Sequence, residues 1–309
     1  MPETLLIKTD FRRGAEWREA FAGFDVEVRE WGAPGDPAEI DYALVWKPKP
    51  GALAAFPNLK IIFSIGAGID HLLGENVLPR GLPVVRMVER ALTAGMTEYV
   101  LYHVLRFHRF MPQYEAGRRE GAWREIPQTP AWRRRVGLLG LGVLGADAAR
   151  ALAALGFDVA GWSRGEKNIR GVASHHGARG LREMLARSEI LVCLLPLTAQ
   201  TENILNAETF AQLPKGAFVI NAARGGHCME EDLLAALESG HLAGAALDVF
   251  KTEPLEKSSP LWRHPRVYIT PHIASMTVPA TAAEHVMENI RRFRAGRELT
   301  HLADLAREY

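Results

Sequence analysis

The chain has 309 residues, enough for two domains with sizeable cores at roughly 100 to 200 residues per domain. Hydrophobic residues make up 48% and charged residues 24%, and 37 Lys and Arg against 36 Asp and Glu leave a formal net charge of +1. That is the make-up of an ordinary soluble globular protein and argues against nucleic acid, whose binders carry a basic excess or stripe. The longest apolar run, Ile190 to Leu197, contains a proline and falls well short of the roughly 20 residues that span a bilayer, so no membrane partner is expected.

At the start, MPETLLIKTD holds too short an apolar stretch for a signal-peptide core. Cys193 and Cys228 have no CxxC neighbours, so a disulfide framework is not expected and a reducing, cytoplasmic setting is. His175, His176, His264 and His285 lack partners at metal-ligand spacing, and no metal is expected.

In chain order, short β-branched runs alternate with amphipathic stretches, the pattern of parallel strands joined by right-handed crossovers; the class is α/β. Strands are expected at Leu5 to Lys8, Val26 to Arg29, Ala43 to Trp46, Ile61 to Ile65 and Val84 to Met87. A long apolar-periodic stretch from Ala94 to Phe110 reads as one helix linking two domains. Residues 111 to 132 then break the alternation with Pro112, Pro127 and Pro130, and carry Tyr114, Trp123 and Trp132. A solvated loop is one reading; an arm that buries its aromatics against a second subunit, giving a homodimer, fits three large aromatics better.

Next come a strand from Arg135 to Gly140, Gly-Leu-Gly-Val-Leu-Gly at 140 to 145, and a helix from Ala146 to Leu155. Glycine turns are common, but strand, GxGxxG and helix in this order make a dinucleotide fingerprint. Gly140 permits a tight turn, Gly142 lets the backbone approach a pyrophosphate, and Gly145 allows close packing. Val143 and Leu144 complete the candidate contacts at the helix N-terminus, where N–H groups and the positive dipole end favour phosphate. The following strand, Phe157 to Trp162, ends in Ser163 and Arg164, where an acid would meet the ribose hydroxyl of a cofactor lacking the 2′-phosphate. A hydroxyl and a guanidinium, with Lys167 nearby, suit a 2′-phosphate, so NADPH is expected, with NAD the alternative; Arg164 can also be read as a solvated loop residue.

Further strands are expected at Ile190 to Leu195, Ala217 to Asn221, Ala245 to Val249 and Val267 to Ile269, and chemistry belongs at their carboxyl ends. Asn221-Ala-Ala-Arg-Gly-Gly carries Arg224, Asp248-Val-Phe-Lys-Thr-Glu-Pro carries Glu253, and Thr270-Pro-His-Ile-Ala-Ser carries His272. Taken singly, these read equally as a surface cation, a loop acid and a structural histidine. Reducing a ketone needs a hydride, a proton and stabilisation of developing alkoxide charge, and together these three residue types supply the last two.

The series GLGVLG, LLPLTAQT, INAARGG, LDVFKTEPL, SPLWRHPRV and TPHIAS resembles, in order and spacing, the motifs of the D-2-hydroxyacid dehydrogenase family over essentially the whole chain. GAGIDHLL, VLGADAARAL and the ending ADLAREY most resemble its glyoxylate/hydroxypyruvate reductase A branch. The resemblance implies two Rossmann-like domains with parallel sheets. A flavodoxin-like substrate domain (1–98 and 276–309) would carry an inserted NAD(P)-binding domain (99–275), with the active site between them. It further implies that Arg224 holds the substrate carboxylate and polarises the keto oxygen, that His272 donates the proton, and that Glu253 hydrogen-bonds the imidazole. Leu195, Pro196 and Thr201 would line the ribose and nicotinamide, and Ala222 and Asp248 the carboxamide, although Asp248 also reads as a cap on a neighbouring loop. Ala67 and Gly68 would offer N–H groups to the carboxylate. Trp46 would border the pocket, or pack in the core at a strand end. The implied reactions are NADPH-dependent reduction of glyoxylate to glycolate and of hydroxypyruvate to D-glycerate. The alternatives are an NADH-dependent reductase of another 2-keto acid and a nucleotide-sensing interaction protein on the same fold.

Overall fold

The computed structural model describes residues 2–9, 14–74 and 77–309. In chain order the elements are β1 (Thr4–Lys8), α1 (Gly14–Ala20), β2 (Glu27–Glu30), β3 (Ile40–Val45), β4 (Ile61–Ser64), β5 (Val84–Val85), α2 (Arg90–His108) and α3 (Met111–Arg119). They continue with β6 (Arg135–Leu139), α4 (Val143–Ala154), β7 (Asp158–Trp162), β8 (Val172–His175), α5 (Gly177–Arg187) and β9 (Ile190–Cys193). Then follow α6 (Ala207–Gln212), β10 (Ala217–Asn221), α7 (Glu230–Glu238), β11 (Leu242–Leu247), β12 (Val267–Ile269) and α8 (Pro279–Arg294). The chain divides into two compact units, Met1–Leu92 with Met276–Tyr309, and Thr93–Ser275.

In the first unit the strands pair in parallel in the order β2-β1-β3-β4-β5. Leu5, Leu6, Leu44, Val45, Ile61, Ile62 and Phe63 are fully buried, because a parallel sheet covered on both faces needs continuous apolar strands rather than alternating ones. The edge strand β2, Glu-Val-Arg-Glu, is charged and partly exposed, which discourages pairing with another chain. At the other edge, Leu302 bridges Val85 in antiparallel sense and covers β5.

The second unit has the order β12-β11-β10-β9-β6-β7-β8, all parallel. β6 lies between β9 and β7, so successive crossovers leave it in opposite directions. That reversal is where a doubly wound sheet opens a crevice beyond its strand ends. One apolar cluster, with Leu191, Val219, Leu233 and Leu247, covers one group of sheet side chains; another, with Val100, Phe107, Leu138, Ala148 and Val192, covers the alternate set.

Four local features differ from the sequence reading. The long helix begins at Arg90 rather than Ala94, since the Glu89 carboxylate accepts from the Ala91 and Leu92 N–H groups at 2.6 and 2.8 Å and caps its first turn. Within 111 to 132, expected to be irregular, α3 forms because Pro112 sits in its first turn, where the missing N–H costs nothing. A two-pronged ion pair from Arg106 to Glu115 then fastens α3 to α2. β8 and α5 were not anticipated: β8 is a four-residue edge strand, and α5 buries only Gly180, Met184 and Leu185, too thin a stripe to stand out among its arginines.

Candidate active site

The glycine-rich turn follows β6 directly. Gly140 has φ +102, and a Cβ there would lie 2.7 Å from the Leu194 carbonyl oxygen. At Gly145 a Cβ would lie 2.0 Å from the Gly140 carbonyl oxygen, so the first turn of α4 folds onto the loop backbone only with glycine there. By contrast, a Cβ on Gly142 would meet no described atom within 4 Å, leaving an open cradle. Gly142 is the N-cap of α4 and no side chain caps it; the first turn holds no acidic residue. Uncapped N–H groups facing an open glycine suit a dinucleotide pyrophosphate. Val143 is exposed beside them, and Leu144 packs half-buried against the core.

Beyond β7, the Ser163 hydroxyl donates to the Gly165 carbonyl at 2.7 Å and the Ser163 N–H to the His175 carbonyl at 3.1 Å. Both donors of Ser163 are thus engaged in shaping the turn, and Arg164 is the exposed cation it presents. Lys167 lies exposed on the same loop, its N–H bonded to the Ser174 hydroxyl.

Past β9, Leu195 is buried and Thr201 ties the loop to itself: its hydroxyl donates to the Pro196 carbonyl at 2.6 Å and accepts from the Thr198 N–H at 2.9 Å. His227, which the sequence reading passed over, is wholly buried and lies 3.2 Å from the same Pro196 carbonyl through Nε2. Its Nδ1 lies 3.2 Å from the Arg224 nitrogen and 3.1 Å from the Arg224 carbonyl oxygen, so the ring bridges Pro196 and the Arg224 backbone. Asn221, also buried, donates to the Arg224 carbonyl at 3.1 Å and accepts from the Ala223 N–H. Arg224 is therefore fixed at its backbone from both sides, with Nη1 donating to the Ala223 carbonyl at 2.8 Å. Ala222 is buried against the core.

Asn221 pairs with Leu247, and Leu247 with Ile269, so β10, β11 and β12 end level with one another. Arg224, Glu253 and His272 thus issue from three adjacent strand ends, which stand about 5 Å apart from neighbour to neighbour. His272 Nδ1 lies 2.9 Å from Glu253 Oε2, and Glu253 Oε1 accepts the Phe250 N–H at 3.1 Å. With Nδ1 directed to the carboxylate, Glu253 sets the orientation of the imidazole. His272 itself has φ +55, a left-handed backbone uncommon outside glycine. The Asp248 carboxylate is buried and accepts from Thr270 Oγ1 (2.6 Å), the Ile273 N–H (2.9 Å) and the Ala274 N–H (2.8 Å), which is the loop-cap reading of that residue.

In the first unit, Trp46 is half-buried, its ring 4.3 Å from that of His71, and it packs so closely on the glycine loop that a Cβ on Gly66 would lie 2.9 Å from Cζ3. It is a wall beside that loop rather than a core residue. Ala67 and Gly68 lie half-buried in the loop, which the wholly buried Ser64 holds through the Gly66 and Gly68 carbonyls at 2.8 and 3.2 Å. Nothing in the sequence beyond a polar residue at a strand end signals Ser64. Burial pushes the Cys193 thiol up to about 12 and raises that of Cys228 as well, so neither is a nucleophile. Among the described residues no cluster of His, Cys, Asp or Glu is arranged to hold a metal, and no helix is long and apolar enough to cross a membrane.

A doubly wound sheet whose first crossover is a glycine-rich, uncapped helix start defines a dinucleotide-binding protein. Residues 101–274 match the family model described as the NAD binding domain of D-isomer specific 2-hydroxyacid dehydrogenases. The chain belongs to that family. It is 44% identical over 287 residues to the glyoxylate/hydroxypyruvate reductase A of Salmonella heidelberg (strain SL476), covering 91% of each chain. Among solved structures it resembles a D-isomer specific 2-hydroxyacid dehydrogenase from Xanthobacter autotrophicus Py2 in complex with NADPH and MES, with TM-score 0.95, 45% identity and 100% of both chains covered. It is also similar to an NADPH-dependent glyoxylate/hydroxypyruvate reductase from Sinorhizobium meliloti in complex with NADP and sulfate, with TM-score 0.94 and 42% identity over 99% of this chain and 100% of that one.

Proposed function

We propose that the protein reduces glyoxylate to glycolate and hydroxypyruvate to D-glycerate in the cytoplasm, with NADPH as hydride donor. The observation that carries this reading is the 2.9 Å His272–Glu253 pair past the end of β12, in a sheet where β10, separated from β12 by β11 alone, leads into Arg224. Arg224 grips the substrate carboxylate and polarises the keto oxygen, His272 donates a proton to that oxygen, and Glu253 holds the imidazole oriented. Gly140, Gly142, Val143, Leu144 and Gly145 hold the pyrophosphate. Leu195, Pro196 and Thr201 shape the surface for ribose and nicotinamide, and Ala222 and Asp248 are the proposed carboxamide contacts, Asp248 with acceptor capacity left for one further donor. Residues 99–275 are the coenzyme domain and 1–98 with 276–309 the substrate domain, where Ala67 and Gly68 are the proposed carboxylate donors and Trp46 limits bulk. The similarity to the glyoxylate/hydroxypyruvate reductases of Salmonella and Sinorhizobium supports the substrates.

Initial rates with NADPH and NADH against a panel of 2-keto acids test this reading. Glyoxylate and hydroxypyruvate should give the highest kcat/KM with NADPH; faster reduction of phenylpyruvate or 2-ketoisocaproate would overturn the small pocket. With Ser163 occupied by its turn, the 2′-phosphate preference rests on Arg164. Arg164→Ala should raise the KM for NADPH roughly 10- to 100-fold and leave that for NADH nearly unchanged, since a charge-assisted hydrogen bond contributes about 1.5–3 kcal/mol.

We also propose a homodimer built on the 111–132 arm. Trp123 is 94% and Trp132 72% exposed, a degree of exposure that favours burial against a second copy. Tyr114 is not part of that exposed set, since its hydroxyl accepts from the Ile126 N–H at 3.2 Å and braces the arm internally. Light scattering should give twice the chain mass, and Trp123→Ala with Trp132→Ala should shift the mass toward the monomer; a concentration-independent monomer in the unmodified protein would reject the arm as an interface.

A further inference from the structure

His272 carries a conformational cost that its own loop does not explain. A left-handed backbone at a non-glycine residue is strained and persists only where its surroundings impose it. Here the imposing group is Asp248. Its main-chain carbonyl accepts the His272 N–H at 2.8 Å, and its side chain takes the next two N–H groups of the loop, at Ile273 and Ala274. The residue before the Pro271–His272 step is held as well, because the Thr270 hydroxyl donates its single proton to Asp248 Oδ1 at 2.6 Å. That assignment fixes the next bond. Thr270 Oγ1 lies 2.8 Å from the Tyr99 hydroxyl, and having spent its proton it can only accept, so Tyr99 is the donor. Burial raises the Tyr99 phenol far above its ordinary value, which keeps that donor protonated at any working pH. The phenol belongs to α2, which packs through Val100, Val104 and Phe107 into the same core as β6 and β9. A directional chain therefore runs from a rigid helix to the loop of the proposed proton donor.

We propose that Tyr99, Thr270 and Asp248 form a positioning relay, Tyr99 O–H to Thr270 O–H to Asp248 carboxylate, that holds His272 in its left-handed conformation with Nδ1 on Glu253. This inference rests on the reading of His272 as the proton donor. None of the three needs to touch the reacting atoms to act in this way. The relay fixes imidazole placement, and misplacement of a reacting group by about 1 Å costs on the order of 100-fold in rate.

Thr270→Val keeps the shape and removes the hydroxyl, Thr270→Ser keeps the hydroxyl, and Tyr99→Phe removes the far end of the chain. Thr270→Val should lower kcat roughly tenfold or more with the NADPH Kd, read by fluorescence quenching, within about twofold of the parent. Thr270→Ser should restore kcat to within about threefold, and Tyr99→Phe should lose an intermediate amount, about two- to fivefold, as one bond at the remote end is removed. An unchanged kcat in Thr270→Val, an equal loss in Val and Ser, or a loss confined to the NADPH Kd would each overturn the relay. If Thr270→Val does not fold, Tyr99→Phe carries the same comparison. A crystal structure of the variant reads the relay without turnover: His272 leaving the left-handed region, or parting from Glu253, supports it, and an unmoved ring overturns it. Full activity in His272→Ala would instead defeat the proton-donor reading, so the two failures are told apart.

Discussion

His272→Ala should lower kcat for glyoxylate reduction by on the order of 10²- to 10⁴-fold, the range that a positioned general acid contributes, while leaving the NADPH Kd nearly unchanged. The asymmetry follows from the geometry. His272 stands at the end of β12 with one nitrogen on Glu253, whereas the pyrophosphate cradle lies at the start of α4, after β6. Removing the imidazole therefore takes away the proposed proton source without disturbing the proposed phosphate donors. Glu253→Gln should produce a milder loss. The carboxylate 2.9 Å from Nδ1 orients the ring through a charge-assisted hydrogen bond, and an amide of the same shape offers only a neutral acceptor. The kcat for reduction should then fall roughly 5- to 30-fold with the NADPH Kd nearly unchanged, as the stronger bond is replaced by the weaker one. Single-turnover rates would show it, and a parental rate would mean that Glu253 does not position the ring.

The second large effect is expected at Arg224. Arg224→Ala should reduce kcat/KM by roughly 10²- to 10⁴-fold, on the scale of two charge-assisted hydrogen bonds at about 1.5–3 kcal/mol each. Arg224→Lys should recover only part of this, since an ammonium keeps the charge but cannot present a planar fork to a carboxylate. The backbone at 224 is pinned independently by Asn221 and His227, so either substitution should leave the loop in place and the fold intact. Steady-state kinetics with glyoxylate, alongside thermal denaturation, separates the outcomes. Near-parental kcat/KM in Arg224→Ala would remove this residue from the mechanism, and a large fall in Tm would reassign its role to the loop.

Residues near one another in the chain were the most legible. GLGVLG between an apolar run and an Ala-rich run announced a strand, a turn and a helix, because each glycine answers a local demand: Gly140 a positive φ, and Gly145 contact with the carbonyl of a residue five positions earlier. Strand cores such as Ala217–Asn221 and Val267–Ile269 were readable for a related reason, since a sheet covered on both faces selects uninterrupted apolar runs. β8 and α5 escaped because their apolar signal is thin, and α3 because proline was read as a breaker where it begins a helix.

By itself, then, the sequence determined the α/β class, the glycine-rich turn between strand and helix, and the three strand ends that lead into Arg224, Glu253 and His272, all properties written in short-range periodicity, glycine placement and residue type. Only the tertiary structure decided how the polar atoms are shared out. It committed both donors of Ser163 to a turn, and it turned Asp248 toward the loop of His272. It linked Thr270 to Tyr99, 171 residues away in sequence, and set the buried His227 between Arg224 and Pro196. A buried polar group must find a partner, but which partner depends on the elements folded against it, and no spacing along the chain encodes that choice.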